Sequence, residues 1–120
     1  RRPLCHRLGA QACSISGYHT RAVFSVQFSP DGRYLASCGG DNSLRIFTQE
    51  DEQMADAAAD ERGTKAASYT QLVTQEAAHA ADVNCVQWNP KAQGGGKWML
   101  ATAGDDNLIK VWELGANESA

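Results

Sequence analysis

The sequence predicts an all-β fold built from two copies of one small antiparallel sheet. Three observations lead there. The chain matches itself when His19 is laid over His79. Each copy consists of short runs of β-branched and aromatic residues divided by Gly, Pro, Asp and Asn, the pattern of strands joined by tight turns. With 120 residues, 42% hydrophobic and 21% charged, the chain has room for one small domain with a buried core.

The repeat is ordered along its whole length. His19-Thr20-Arg21-Ala22-Val23-Phe24-Ser25-Val26-Gln27-Phe28-Ser29-Pro30 pairs without gaps with His79-Ala80-Ala81-Asp82-Val83-Asn84-Cys85-Val86-Gln87-Trp88-Asn89-Pro90. Leu35-Ala36-Ser37-Cys38-Gly39-Gly40-Asp41-Asn42 pairs with Leu100-Ala101-Thr102-Ala103-Gly104-Asp105-Asp106-Asn107, and Leu44–Phe47 with Ile109–Trp112. Between these blocks the second copy has five extra residues around Gly94-Gly95-Gly96.

The elements follow in order. Val23–Phe28 and Val83–Trp88 are the first strands of the two copies. Ser29-Pro30-Asp31-Gly32 has Pro and Gly at the second and last positions of a type I turn, so the chain reverses there. Tyr34–Cys38 and Trp98–Ala103 are second strands, and Gly-Gly-Asp-Asn and Gly-Asp-Asp-Asn turn into third strands ending at Phe47 and Trp112. Tyr69–Gln75 alternates as a fourth strand. Cys13–Ser16 reads as the fourth strand of a preceding unit. The two histidines lie 60 positions apart, beyond the roughly 40–45 residues of a four-stranded propeller blade. The stretch 49–68 explains the excess: it holds six acids against Arg62 and Lys65, is rich in Ala, and reads as a solvated acidic insertion between third and fourth strands. The organisation expected is therefore 1–18 as an outer strand and inter-blade loop, 19–77 as one repeat with the insertion 49–68, 78–114 as a final repeat, and 115–120 as a tail.

Charge and cysteine usage exclude several functions. Lys plus Arg number 11 against 14 Asp plus Glu, a formal charge of -3, which argues against a protein that tracks nucleic-acid phosphates. No apolar run reaches the roughly 18–20 residues that span a bilayer. Cys5, Cys13, Cys38 and Cys85 include no C-x-x-C pair and read as free thiols in a reducing compartment. Gly94-Gly95-Gly96-Lys97 has the outline of a phosphate loop, but Trp98 stands where Ser or Thr should be, so it reads as a hairpin insertion. Asn117-Glu118-Ser119 fits a glycosylation sequon, for which an exposed tail is the simpler account. His19 and His79 have no second ligand at a metal-binding spacing. No metal and no cofactor is expected, and no membrane or direct nucleic-acid partner.

The repeat resembles the WD repeat. In the first copy the resemblance rests on Gly17-Tyr18-His19, Ser29-Pro30-Asp31-Gly32, Leu35-Ala36-Ser37, Asp41 and Leu44-Arg45-Ile46-Phe47. In the second it rests on His79, Asn89-Pro90, Leu100-Ala101-Thr102, Asp106 and Val111-Trp112-Glu113. It covers about residues 13–114 and implies a β-propeller fragment, two four-stranded blades of a seven-bladed disc whose last blade takes its outer strand from the N-terminus. It also implies a Trp–Ser/Thr–His–Asp network in each blade: Trp112, Thr102, His79 and Asp106 in the second, and His19, Ser37 and Asp41 in the first, where Phe47 replaces the Trp and removes one donor. Ser, His and Asp thus recur as structural staples and not as a hydrolase triad, so no catalytic residue is expected and the protein is not an enzyme.

A narrower resemblance lies in Ala78-His79-Ala80-Ala81-Asp82-Val83-Asn84-Cys85-Val86-Gln87-Trp88-Asn89-Pro90. It is similar to the last blade of the WD-repeat subunit of the cytosolic iron–sulfur protein assembly (CIA) targeting complex. Ser16-Gly17-Tyr18-His19, Arg45-Ile46-Phe47 and the long polar loop after it agree with that family's penultimate blade, whereas the triple glycine and the Ala-rich acidic loop are departures. The resemblance implies a non-catalytic adaptor, in the cytoplasm or additionally the nucleus, that works with a small adaptor subunit and a HEAT-repeat subunit. Together they would deliver [4Fe–4S] clusters to cytosolic and nuclear apoproteins. The alternative is a WD scaffold of another complex, such as a ubiquitin-ligase substrate receptor, although Trp112-Glu113-Leu114-Gly115 lacks the Arg such receptors often carry. The expected partner-binding residues are Tyr18, Arg21, Asp82, Asn84 and Asp105, at strand entrances and tight turns.

Overall fold

The computed structural model describes residues 6–49 and 68–115. Seven strands make two antiparallel sheets. The first blade is β1 (Val23–Phe28), β2 (Tyr34–Gly39), β3 (Leu44–Gln49) and β4 (Tyr69–Gln75), hydrogen-bonded in that order. The second is β5 (Val83–Trp88), β6 (Trp98–Gly104) and β7 (Ile109–Leu114), also in sequence order. Strand positions agree with the sequence reading to within two residues, because alternation and turn chemistry are local signals that a short strand states clearly. In the β1–β2 turn the Gly32 N–H donates to the Ser29 carbonyl at 2.9 Å, and in the second copy the extra residues close as a 3-10 turn at Gly94–Gly96.

Cys13–Ser16 lies in no sheet of the described residues. The second blade has three strands among the described residues, and there the outer edge of β7 has no neighbour. The insertion 49–68, apart from its two end residues, Cys5 and the Asn117 sequon fall outside the described residues.

Cross-strand register decides which side chains meet. Ala36 lies opposite Ile46 and Cys38 opposite Leu44, so these four share one face of the first blade. Trp88 lies opposite Leu100 and Leu100 opposite Trp112, which puts all three on the facing side of the second blade. The core forms between those faces: Ala36, Cys38, Leu44 and Ile46 pack with Ala78, Val83, Val86, Trp88 and Leu100. Polar contacts lock the blades in register. The Gln27 side-chain oxygen accepts the Trp88 backbone N–H at 2.6 Å, and the Trp88 indole N–H returns to the Gln27 carbonyl at 3.0 Å. Ser25 Oγ accepts from the Val86 N–H at 3.3 Å, and the Tyr34 ring stacks on Trp88 with centroids 6.3 Å apart. Of the thiols, Cys38 is buried, which pushes it up to about 11, while Cys85 is exposed.

Candidate functional site: a loop surface held by two histidine networks

The loops before β1 and β5 and the turns after β2 and β6 gather at one end of the blades, and each pair is tied by a histidine. In the second blade the Trp112 indole N–H donates to Thr102 Oγ1 at 2.9 Å, and the Thr102 hydroxyl lies 2.8 Å from His79 Nε2. His79 Nδ1 lies 2.9 and 3.1 Å from the two carboxylate oxygens of Asp106. The tautomer that satisfies every partner has Nδ1–H donating to Asp106 and Nε2 accepting from Thr102. Asp106 also accepts the N–H groups of Ala80 and Leu108 at 3.0 and 3.1 Å, so one carboxylate holds both loop and turn. His79 and Thr102 are almost wholly buried, and pairing is what makes such burial tolerable.

In the first blade His19 Nε2 lies 2.7 Å from Ser37 Oγ, and Nδ1 lies 3.0 Å from Asp41 Oδ2. Phe47 is buried and brings no donor; the Tyr18 ring covers it edge-on at 5.0 Å. Sequence reasoning missed a further member, Ser43, whose hydroxyl donates to Asp41 at 2.8 Å and whose N–H donates to it at 3.3 Å. Its signal was the Asp-x-Ser spacing of an Asx-type turn. The second copy has Leu108 at that place.

Two glycines permit these networks. A side chain at Gly104 would press its Cβ to 2.5 Å from His79 Nδ1, and one at Gly39 would strike the Ala22 carbonyl oxygen. Asn42 and Asn107, with φ of 64° and 69°, adopt the left-handed conformation that Asn tolerates best after Gly.

Both carboxylates ionise far below the ordinary 3.8. For Asp41, burial opposes ionisation and is outweighed by hydrogen bonds from Ser43, His19 and the Thr20 N–H, which bring it to about 2. For Asp106, burial is likewise outweighed, by His79 and the N–H groups of Ala80 and Leu108, again to about 2. A depressed carboxylate contributes stability that is fully present above the unfolded value and lost as pH falls through the folded one. Stability should therefore fall between about pH 4 and pH 2. Urea titrations across that window are expected to show a shallower pH slope for the Asp41→Asn/Asp106→Asn double variant; an unchanged slope would remove this account.

The five expected partner residues fall around this framework. Asn84 and Asp105 are exposed and joined by a 2.6 Å hydrogen bond from Asn84 Nδ2, and the Asp105 N–H donates to the Asp82 carbonyl at 2.9 Å. Arg21 is exposed on the neighbouring blade, whereas Tyr18 is half-buried against Phe47. The register slips between Val23 and Ser25 and between Val83 and Cys85, so Phe24 and Asn84 are bulge residues at equivalent positions. The bulge brings Phe24, 49% exposed, beside Arg21 at Gly40: a Cβ built there would lie 3.7 Å from the Phe24 ring and 3.5 Å from Arg21 Cβ. Sequence reasoning did not find Phe24, because a bulge is invisible in a strand-like run. The first blade thus sets an aromatic beside a guanidinium at its bulge, and the second sets an amide against a carboxylate at the equivalent bulge. The surface offers hydrogen-bonding and apolar contact. Among the described residues no three His, Cys, Asp or Glu side chains gather as a metal site, and no helix is long and apolar enough to cross a membrane.

Comparison with known proteins places these features in company. The profile of the family described as "WD domain, G-beta repeat" matches residues 11–48 and 70–113. A protein of Arabidopsis thaliana, "Protein CIA1", is 38% identical over 102 residues, which cover 85% of this chain and 25% of that protein. "Probable cytosolic iron-sulfur protein assembly protein Ciao1" of Drosophila mojavensis is 36% identical over 102 residues, covering 85% of this chain and 27% of that protein. The chain spans about a quarter of the length of these relatives.

Proposed function

The chain belongs to the WD-repeat family, and from that premise we propose that it forms two blades of a non-catalytic scaffold for cytosolic iron–sulfur protein assembly. The observation that carries the proposal is the likeness, across 85% of this chain, to relatives one of which is named for that process. The geometry supports a binding role: its buried Ser, Thr, His and Asp groups hydrogen-bond one another, and its open polar groups lie on turns held rigid by those networks. The [4Fe–4S] cluster is cargo in this reading. The scaffold works in the cytoplasm, beside a small adaptor subunit, a HEAT-repeat subunit and the apoprotein clients. Tyr18, Arg21, Asp82, Asn84 and Asp105 are proposed as contacts, joined by Phe24.

The experiment is affinity purification of the full gene product with mass spectrometry of what accompanies it. Iron–sulfur apoproteins together with the two other subunits are expected; ubiquitin-ligase or chromatin subunits in their place would overturn the reading. Arg21→Ala, Phe24→Ala and Asp105→Ala combined should lower recovery of at least one partner roughly tenfold, the effect of losing about 1.4 kcal/mol of binding. Full recovery would remove this surface from the proposal.

A further inference from the structure

Each copy of the repeat enters its first strand through a turn that holds one residue in the left-handed conformation. That residue stands two positions before the network histidine, with φ of 87° in the first copy and 51° in the second. In the first copy it is Gly17; in the second it is Ala77. Glycine adopts this conformation freely, whereas a Cβ crowds the following carbonyl oxygen and stores strain. What favours glycine is the conformation and not a lack of room, because a Cβ built on Gly17 meets no atom within 4 Å. Among the described residues the other non-glycine positions with positive φ are Asn42 and Asn107, the residue type best tolerated there after glycine. Ala77 has neither advantage.

Nothing at Ala77 itself offsets the cost. Its methyl group is exposed, so it gains no packing. The conformation is imposed from both sides. On one side β4 is held by β3 as far as Gln75, opposite Leu44. On the other, Ala78 is 0% exposed in the core between the blades, and its N–H donates to the Asn42 carbonyl at 2.8 Å. His79 is buried in its network, and the Ala80 N–H donates to Asp106 at 3.0 Å. Farther along, the Asp82 carbonyl accepts the Asp105 N–H at 2.9 Å. Ala77 therefore spans the last paired residue of one blade and the first buried residue of the next, and both blades lie within the chain. A strained conformation that its neighbours over-determine works against the contacts that hold it. Any motion that frees Ala78 and His79 also relaxes Ala77.

We propose that Ala77 is a sprung hinge at the junction of the two blades, from which the segment 76–82 opens as a local unit before either sheet comes apart. Opening carries His79 out of its network and Asp82 away from the turn between β6 and β7, so the loop surface of the second blade has a yielding entrance. The first blade, entered through Gly17, has no such spring and keeps a stiff one. The left-handed region costs alanine roughly tenfold in population relative to glycine. The strain raises the open population by that factor.

Backbone amide hydrogen exchange on the full gene product tests this. The Ala78 and Ala80 amides are the reporters, because each is hydrogen-bonded in the closed loop. In the parent both are expected to exchange faster than the paired amides of β4 and β5, the mark of a local opening. Ala77→Gly and Ala77→Asn have tolerance of positive φ in common, and each should slow the two reporters roughly threefold or more. Part of the tenfold is offset by the freedom that the new residue regains when the loop is open. The Thr20 amide, which donates to Asp41 at the same place in the first blade, should keep its rate in both variants. Gly17→Ala installs the spring there and should speed Thr20 exchange by a similar factor. Reporters that exchange no faster than β4 and β5 would overturn the proposal, since the loop would then open only together with the blades. Unchanged reporter rates in both Ala77 variants would overturn it equally, because the conformation would then carry no strain.

Discussion

Replacing Trp88 by alanine should destabilise the two-blade unit by about 3–5 kcal/mol, the range for removing a buried Trp from a core. Trp88 is 3% exposed, stacks on Tyr34, packs with Leu100 across the strand pair, and donates its indole N–H to the Gln27 carbonyl. Domain stabilities lie at about 5–15 kcal/mol, so the loss is a large fraction of the whole. Urea denaturation followed by tryptophan fluorescence and far-ultraviolet circular dichroism would read it. Trp88→Phe separates the two contributions: it retains most of the apolar body and gives up the indole donor, for an expected cost nearer 1 kcal/mol. Should the alanine variant unfold at the parental urea concentration, the contact between blades would not be what holds them together.

The second large effect is expected at Thr102. Valine there matches threonine in shape and removes the hydroxyl that both receives the Trp112 indole N–H and meets His79 Nε2. Two polar groups then lose their partner, each at about 1–3 kcal/mol, so about 2–6 kcal/mol is expected in all. Ser37→Ala is the internal comparison. Phe47 offers no donor to Ser37, so only His19 Nε2 is stranded and the cost should be roughly half as large. A Thr102→Val/Trp112→Phe double-mutant cycle gives the coupling directly. With the donor already gone, the hydroxyl is worth less, and the two single costs should sum to more than the double. Additive costs would mean that the indole and the hydroxyl do not act through one hydrogen bond.

These effects show how much of the molecule can be seen in its residues and where sight fails. The strands were legible because six-residue runs such as Val83–Trp88 are rich in β-branched and aromatic residues, and Pro30, Gly32 and the Asp-Asn turns punctuate such runs. The residues of both networks were named through the resemblance to the WD repeat, and the loss of the indole donor at Phe47 was apparent only beside Trp112. Ser43 was not, since its role depends on a carboxylate oxygen turned toward it after the turn has closed. Phe24 was not, since a bulge changes the direction of a side chain and leaves the hydrophobic pattern untouched.

Sequence alone determined the repeated unit, its strand order and its turn chemistry, all carried by contacts within one copy or by comparison of the two, and its resemblance to the WD repeat pointed to the residues of each network. Only tertiary structure decided how the copies meet. Gln27 and Trp88 are 61 positions apart, and no local propensity relates them. Their contact exists because register puts Ala36, Cys38, Leu44 and Ile46 on one face of a sheet, and burying that apolar face requires a second sheet.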